Sequence, residues 1–133
     1  MAYQSIQKIK DKVILCGVFF ESPSINHKHE MNELFSLVNT LGVEVVDEIV
    51  QYGKRIDSKY FVGKGKLEEI LSKSELLECD YIIFNNDILP SHMKNIQNFC
   101  KDKVQVKDRT GIILDIFMNH AKTNEAKTQI KLA

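Results

Sequence analysis

The sequence predicts an α/β fold, with a small parallel sheet of about four strands and helices on both faces. Apolar runs of strand length alternate with segments whose apolar residues recur at helical spacing, in the order β-α-β-loop-α-β-α-β-α. The first run is apolar at nearly every position, which is typical of a strand buried on both faces of a parallel sheet. A chain of 133 residues with 44% apolar residues can build one core of this kind.

The four strands are predicted at short apolar segments rich in β-branched and aromatic residues. They span 13–20, 43–50, 81–84 and 104–106. Helical connections between successive strands imply parallel pairing with right-handed crossovers, and the expected strand order is 2-1-3-4.

Three helices are predicted from apolar spacing and from the residues at their ends. The first spans 32–41 and is stopped by Gly42. The second is opened by the glycines of 63–66 and continues through Leu77. The third begins at Pro90, because proline favours the first turn of a helix.

A fourth helix and a further helical segment are predicted near the C-terminus. Thr110 is the expected N-cap of the fourth helix. Its apolar residues are Ile112, Ile113, Ile116 and Phe117. An apolar stripe that begins at Ala126 has barely completed two turns at Ala133, so we expect a cut inside a longer protein; the alternative is a frayed terminal helix. The expected division is an α/β domain at 1–121 and the start of a helical linker at 122–133.

Composition and residue spacing exclude several kinds of function. The formal net charge is zero, so no overall field attracts nucleic acid or membranes, and the apolar runs are too short for stable membrane insertion. Cys16, Cys79 and Cys100 fit no common zinc or disulfide spacing and indicate small core residues in a reducing, cytoplasmic setting. His27 and His29 lack an evident third ligand, so no metal site is predicted.

Basic charge is concentrated in residues 54–66, against the single acid Asp57. The basic residues are Lys54, Arg55, Lys59, Lys64 and Lys66. Gly63 and Gly65 stand at the start of a helix, whose free N–H groups and partial positive charge suit phosphate. The segment is not a P-loop, because neither lysine is followed by Ser or Thr and no glycine stands five residues before Gly63 or Gly65. It is either an anion-binding surface or a solvated turn that leads into a helix.

A second candidate site is the Asp-Arg-Thr-Gly sequence at 108–111, at the carboxyl end of the fourth strand. Open α/β sheets bind ligands at that edge, and Arg109 could hold phosphate or an RNA backbone with two hydrogen bonds. The structural alternative pairs Arg109 with Asp108 or Asp115 and leaves Thr110 as a cap. Asp87 is the only charged residue at the end of the third strand, so paired-carboxylate catalysis is not predicted.

Three stretches, 59–69, 81–95 and 108–132, follow one pattern in order. A tyrosine and apolar residues lead into Gly-Lys-Gly-Lys, a strand with a polar end follows, and Asp-Arg-Thr-Gly then opens an apolar helix. This pattern resembles the N-terminal region of the HflX GTPases. The chain departs from it at 56–57, where proline is usual, and at 85–87, where more carboxylates are usual.

The resemblance implies an N-terminal α/β domain, followed by a helical hairpin and a Ras-like G domain that this chain lacks. It implies a ribosome-associated GTPase whose GTP and Mg²⁺ bind in the G domain. We therefore expect a binding and regulatory domain that does not hydrolyse GTP, whose partners are the large ribosomal subunit, its RNA, and the protein's own hairpin and G domain.

The resemblance leaves two alternatives open: a purely structural domain that packs on the hairpin and sets its orientation, and a stand-alone ATP-binding domain. Its phosphate site would combine residues 63–66 with residues 109–111. For either function, the candidate anion-, RNA- or nucleotide-binding residues are Arg55, Lys59, Gly63, Lys64, Gly65, Lys66, Arg109, Thr110 and Gly111.

Overall fold

The computed structural model describes residues 11–119, which form four strands and four helices. In chain order they are β1 (Lys12–Phe19), α1 (Ile25–Asn39), β2 (Glu44–Tyr52), α2 (Lys64–Leu76), β3 (Tyr81–Phe84), α3 (Pro90–Cys100), β4 (Gln105–Lys107) and α4 (109–119). The predicted alternation of strands and helices is confirmed. The helical linker expected at 122–133 lies outside the described residues.

The four strands form one parallel sheet in the predicted order, β2-β1-β3-β4. All eight residues of β1 pair with β2, and the register shifts once, between Val13 and Ile14. On its other side, β1 pairs with β3 from Val13 opposite Tyr81 to Cys16 opposite Phe84. Because β1 lies between two parallel neighbours, its backbone polar groups are satisfied on both sides.

Helices cover both faces of the sheet, as predicted. On one face, α2 and α3 pack with Ile14, Cys16 and Val18 of β1 in one apolar cluster. On the other face, α1 and α4 pack with Val13, Leu15 and Phe19 in a second cluster. The alternation of side chains along a strand places successive β1 residues in different clusters, which explains why the whole run is apolar.

The first helix is longer than predicted, since α1 begins at Ile25 rather than at residue 32. The extra residues, 25–31, form about two turns and contain two buried side chains, Met31 and His27. The His27 ring stacks on Phe19 with centroids 3.9 Å apart. His27 Nδ1 also lies 3.3 Å from the Tyr52 hydroxyl. The sequence did not indicate that these residues are helical, because the residues around His27 are polar and a buried histidine gives no apolar signal at helical spacing. The helix ends at Asn39, two residues before the predicted end, and Gly42 follows at φ +75°.

The start of α4 differs from the prediction. Asp108, not Thr110, caps the helix, because Asp108 Oδ1 accepts from the Gly111 N–H at 2.9 Å and the Asp108 carbonyl accepts from the Ile112 N–H. Ile112 is buried against the sheet, whereas Ile113 is exposed. Both Thr110 and Asp108 are capping residue types, and only the three-dimensional start of the helix distinguishes them.

No helix within residues 11–119 is long and apolar enough to cross a membrane.

Candidate functional site

The two predicted motifs lie above opposite edges of the sheet, at the carboxyl ends of the strands. Residues 63–66 follow β2 and open α2, and residues 109–111 follow β4 and open α4. The strand order places β1 and β3 between β2 and β4. With about 4.8 Å between neighbouring strands, the ends of β2 and β4 are separated by roughly 14 Å.

A compact turn shapes the chain between β2 and α2. Asp57 accepts hydrogen bonds from the backbone N–H groups of Lys59 and Tyr60, both at 2.9 Å, and its own N–H donates to the Phe61 carbonyl. The N–H of Tyr60, and then that of Lys59, lower the pKa of the Asp57 carboxyl. Phe61 is buried at φ +67° and meets the Phe20 ring edge-on, with centroids 5.7 Å apart. The turn is thus fixed by its own contacts.

Helix α3 anchors this turn from outside. His92 Nε2 donates to the Ser58 carbonyl at 3.0 Å, and Asn95 Nδ2 donates to the Lys59 carbonyl at 2.8 Å. The backbone that carries Lys59 is therefore held by two side chains of a neighbouring helix, so its position does not depend on a ligand.

A cavity of about 370 Å³ lies between the end of β2 and the start of α2. Its lining residues are Val18, Phe20, Gly53, Lys54, Arg55, Val62, Gly63, Gly65 and Lys66. Gly63 is the N-cap residue of α2 and provides no capping side chain. A Cβ atom at Gly63 or Gly65 would meet nothing within 4 Å, so these glycines leave the mouth of the cavity open.

The cations of this segment form what we name the basic surface, which consists of Lys54, Arg55, Lys59, Lys64 and Lys66. All are exposed except the half-buried Lys66, whose Nζ donates to the Tyr52 carbonyl at 2.7 Å. Lys59 Nζ lies 5.2 Å from the centre of the Tyr60 ring. Among residues 11–119, no carboxylate forms a salt bridge with any cation of the basic surface.

Arg109 is held by other side chains. Its Nη1 donates to Asn85 Oδ1 at 2.5 Å, and its Nη2 donates to Glu33 Oε1 at 2.7 Å. Buried Asn85 also donates to Glu30 Oε1 at 3.1 Å. Arg109 is thus paired within the domain, as in the structural alternative, but the partners named there were wrong, because Asp108 caps α4 and Asp115 pairs with Lys107 at 2.6 Å. Arg109 joins α4 to α1 and to the residue that follows β3.

Thr110 and Gly111 also form contacts with other residues of the domain. The Thr110 hydroxyl donates to Asp87 Oδ1 at 2.6 Å, which joins α4 to the loop after β3. A Cβ atom at Gly111 would lie 3.2 Å from Asp108 Oδ1, so glycine leaves room for the cap. The structure brings Arg55, Gly63, Gly65 and Lys66 together in the lining of one cavity, and that lining includes none of residues 109–111.

Asn86 is a residue whose role the sequence did not reveal. It follows β3 and faces β1, where the direction of the strand connections reverses and doubly wound sheets bind ligands. Asn86 Oδ1 accepts from the Val18 N–H at 3.0 Å, and Asn86 Nδ2 donates to the Val18 carbonyl at 2.7 Å. The side chain therefore extends the β1–β3 hydrogen bonding into the crevice. These partners are 68 residues apart, and no local pattern indicates such a contact.

A family model described as the GTP-binding GTPase N-terminal region matches residues 28–118. The chain is 37% identical over 127 residues to a GTPase HflX of Alkalihalophilus pseudofirmus, which covers 96% of this chain and 30% of that protein. It is 33% identical over 123 residues to the GTPase HflX of Escherichia coli, which covers 92% of this chain and 28% of that protein.

Solved structures agree with these matches. A crystal structure of SsGBP in complex with GDP superposes with a TM-score of 0.64 at 26% identity, covering 92% of this chain and 33% of that chain. The chain thus spans about 30% of the length of the curated relatives that it matches. Because the family model covers well over half of the sequence, this chain belongs to the GTP-binding GTPase N-terminal family and is an N-terminal domain of the HflX type.

Proposed function

We propose that this chain is the binding and regulatory domain of a cytoplasmic, HflX-type GTPase and that its basic surface contacts the RNA of the large ribosomal subunit. In this proposal the α/β domain at 1–121 hydrolyses nothing. GTP and Mg²⁺ bind in a G domain outside these 133 residues, and that G domain and a helical hairpin are the domain's partners in the same protein.

One observation supports the proposed RNA contact: the basic surface is rich in cations that lack carboxylate partners within the described residues. Five cations elsewhere in the described residues are paired, including Lys73 with Asp47 and Arg109 with Glu33, and the three that are not paired, Lys28, Lys94 and Lys101, do not share one segment with so many other cations. The one acid within residues 54–66, Asp57, is engaged by backbone N–H groups of its own turn. A polyanion would supply the missing countercharge and release condensed counterions as it binds.

The spread of the cations favours a polyanion over one small anion. Lys54, Arg55 and Lys66 line the cavity, whereas Lys59 and Lys64 lie outside its lining. Cations distributed over a turn and a helix start can meet several backbone phosphates at once. The uncapped N-terminus of α2 adds N–H donors to the same surface. Since α3 anchors the turn, little ordering would be required on binding.

The test measures binding of the longer protein to large ribosomal subunits by cosedimentation over a range of salt concentrations. The variant combines Lys54→Ala, Arg55→Ala and Lys64→Ala, and it spares Lys66 because that side chain also bonds to the Tyr52 carbonyl. The matched control combines Lys28→Ala, Lys94→Ala and Lys101→Ala, which remove the same charge from exposed positions elsewhere.

We expect the variant to bind more weakly and its plot of log affinity against log salt to be shallower by roughly 2–3, at about 0.7–0.9 per phosphate contact. The control variant should retain the wild-type slope. An unchanged slope in the first variant, or an equal change in both, would contradict the RNA contact.

A second candidate function, ATP binding by the domain alone, is supported by the cavity beside Gly63. About 370 Å³ is within the usual size of small-molecule sites, and the lining combines apolar Val18 and Phe20 with the cations Arg55 and Lys66. Because Arg109 is held by Asn85 and Glu33, this alternative rests on residues 63–66. Calorimetry should then show saturable ATP binding that Lys66→Ala abolishes and Arg109→Ala preserves. The absence of heat at millimolar ATP would exclude it.

A further inference from the structure

The outer edge of β2 pairs with no other strand in the described part of the chain, because β2 is the first strand in the order β2-β1-β3-β4. Successive residues of a strand direct their backbone groups to opposite sides of it. Gly53 donates its N–H to the Phe19 carbonyl of β1, so Gly53 and every second residue before it face β1. The backbone groups of Glu48, Val50 and Tyr52 therefore point outward.

Two of these outward groups already have partners in the same molecule. The Asp47 carboxylate accepts from the Glu48 N–H at 2.7 Å, and Lys66 Nζ donates to the Tyr52 carbonyl at 2.7 Å. The Glu48 carbonyl, both backbone groups of Val50 and the Tyr52 N–H have no such partner among the described residues. An edge strand with unpaired backbone groups can pair with a strand of another chain.

The unpaired groups are complementary to themselves about Val50. When two copies align β2 antiparallel with Val50 opposite Val50, each Val50 donates to and accepts from the other. On both sides of this centre the Tyr52 N–H of one copy meets the Glu48 carbonyl of the other. The two groups that this alignment leaves facing each other, the Glu48 N–H and the Tyr52 carbonyl, are those that Asp47 and Lys66 already satisfy.

The charges along this part of the chain favour the same alignment. Acidic residues stand before Val50 and basic residues stand after it. They are Glu44, Asp47 and Glu48 on one side and Lys54 and Arg55 on the other. Antiparallel alignment therefore brings the basic end of each copy beside the acidic start of the other, and it places no two like charges directly opposite each other.

Apolar side chains at this edge are left uncovered. In the register of the sheet, Val50 and Tyr52 lie beside Gly17 and Phe19 of β1, and Phe19 packs in the cluster on the α1 face. Val50 is nevertheless 45% exposed and Tyr52 is 40% exposed. A strand added to β2 would extend this face and cover both side chains, which stabilises paired strands.

We infer that a second copy of this chain pairs with the outer edge of β2, antiparallel and with the two-fold axis at Val50, so that two sheets join into one. The short stretch of unpaired groups favours weak, reversible association. Lys54 and Arg55 belong to the basic surface, so self-pairing would compete with the proposed RNA contact. The inference itself goes beyond that contact and does not depend on it.

Oxidative cross-linking of the 133-residue chain tests the register. Val50→Cys places a thiol at the two-fold axis, where the two Cα atoms would be about 5.5 Å apart, within the range of a disulfide. Glu48→Cys is the matched control, because it is exposed on the same strand but would lie roughly 13 Å from its copy, at about 3.3 Å per residue. The native cysteines are buried and give little background.

We expect Val50→Cys to form disulfide-linked dimers at least about tenfold faster than Glu48→Cys, because only the first pair of thiols meets the distance limits of a disulfide. Circular dichroism checks that each variant is folded. Equal rates for the two variants would overturn the proposed register.

Sedimentation equilibrium measures the association without a cross-link. The wild-type chain should dimerise reversibly, and Val50→Lys should stay monomeric because two lysines would meet at the axis. Leu76→Lys, which makes a similar change at an exposed leucine at the end of α2, should dimerise like the wild type. A wild-type chain that stays monomeric up to about 1 mM, or dimerisation that both lysine variants change equally, would overturn the inference.

Discussion

Asn86 joins β1 to β3 beyond the last residue pair of their ladder. β3 ends at Phe84, and the Asn86 carboxamide then bonds both backbone polar groups of Val18, at 3.0 Å and 2.7 Å. Asn86→Ala removes two hydrogen bonds and leaves a donor and an acceptor of the central strand without these partners. At roughly 1 kcal/mol for each bond, plus the cost of an unsatisfied group, we expect a loss of about 2–3 kcal/mol in the free energy of unfolding.

The variant Asn86→Asp tests the accepted and the donated hydrogen bond of this side chain separately. At neutral pH a carboxylate can accept from the Val18 N–H but cannot donate to the Val18 carbonyl, so this variant should also be destabilised. Protonation of the new carboxyl restores a donor. Its folded-state pKa is therefore raised, and the stability that it contributes is present at low pH and is lost as pH rises.

Urea denaturation at neutral pH and at about pH 4 would measure both effects, with the m value confirming two-state unfolding. Asn39→Ala, at the exposed end of α1, is the control and should change the free energy of unfolding by less than about 0.5 kcal/mol. Wild-type stability of Asn86→Ala, or no recovery of stability by Asn86→Asp relative to wild type in acid, would contradict a stabilising role of these two hydrogen bonds.

Three further expectations concern packing, pH dependence and thiol chemistry. Gly17→Ala would place its Cβ 2.5 Å from Met31 Sδ and should cost about 1–3 kcal/mol in urea denaturation, whereas Gly65→Ala, whose Cβ meets nothing, should be harmless. The folded-state pKa of Asp57 lies below 3.8, so the ionised carboxylate stabilises the fold above its unfolded-state pKa, and this stabilisation is lost as pH falls through the folded-state pKa. Asp57→Asn should therefore flatten the acid side of a plot of melting temperature against pH. Burial raises the pKa of Cys16 to about 12 and that of Cys100 to about 11, so a thiol reagent at about pH 8 should label both only in denaturant; rapid labelling of the folded chain would contradict this burial.

The topology could be predicted because period and polarity are local signals. Continuous apolar residues in β1 indicated a central strand, and helical spacing between strands implied parallel pairing. Pro90 marked the start of α3 correctly. Residues 25–31, the first two turns of α1, were missed, because Met31 is the only buried apolar residue among them and His27 is buried through an aromatic stack with Phe19 that its residue type does not indicate.

The contacts of the candidate sites could not be predicted, because they join distant parts of the chain. Arg109 meets Glu33 across 76 residues, and Asn86 meets Val18 across 68. In α4 the sequence indicated an apolar helix but not that Phe117 would face away from the sheet. Sequence spacing gives the relative directions of side chains on a helix, and tertiary packing decides which side is covered.

Site-specific photo-crosslinking would show whether the basic surface contacts ribosomal RNA. A photoreactive amino acid would replace Lys64 in the longer protein bound to large ribosomal subunits, and in a parallel sample it would replace Lys94 on α3. We expect crosslinks from position 64 to large-subunit RNA and none from position 94. Crosslinks to RNA from position 94 alone, or from neither position in a complex that still forms, would contradict the account.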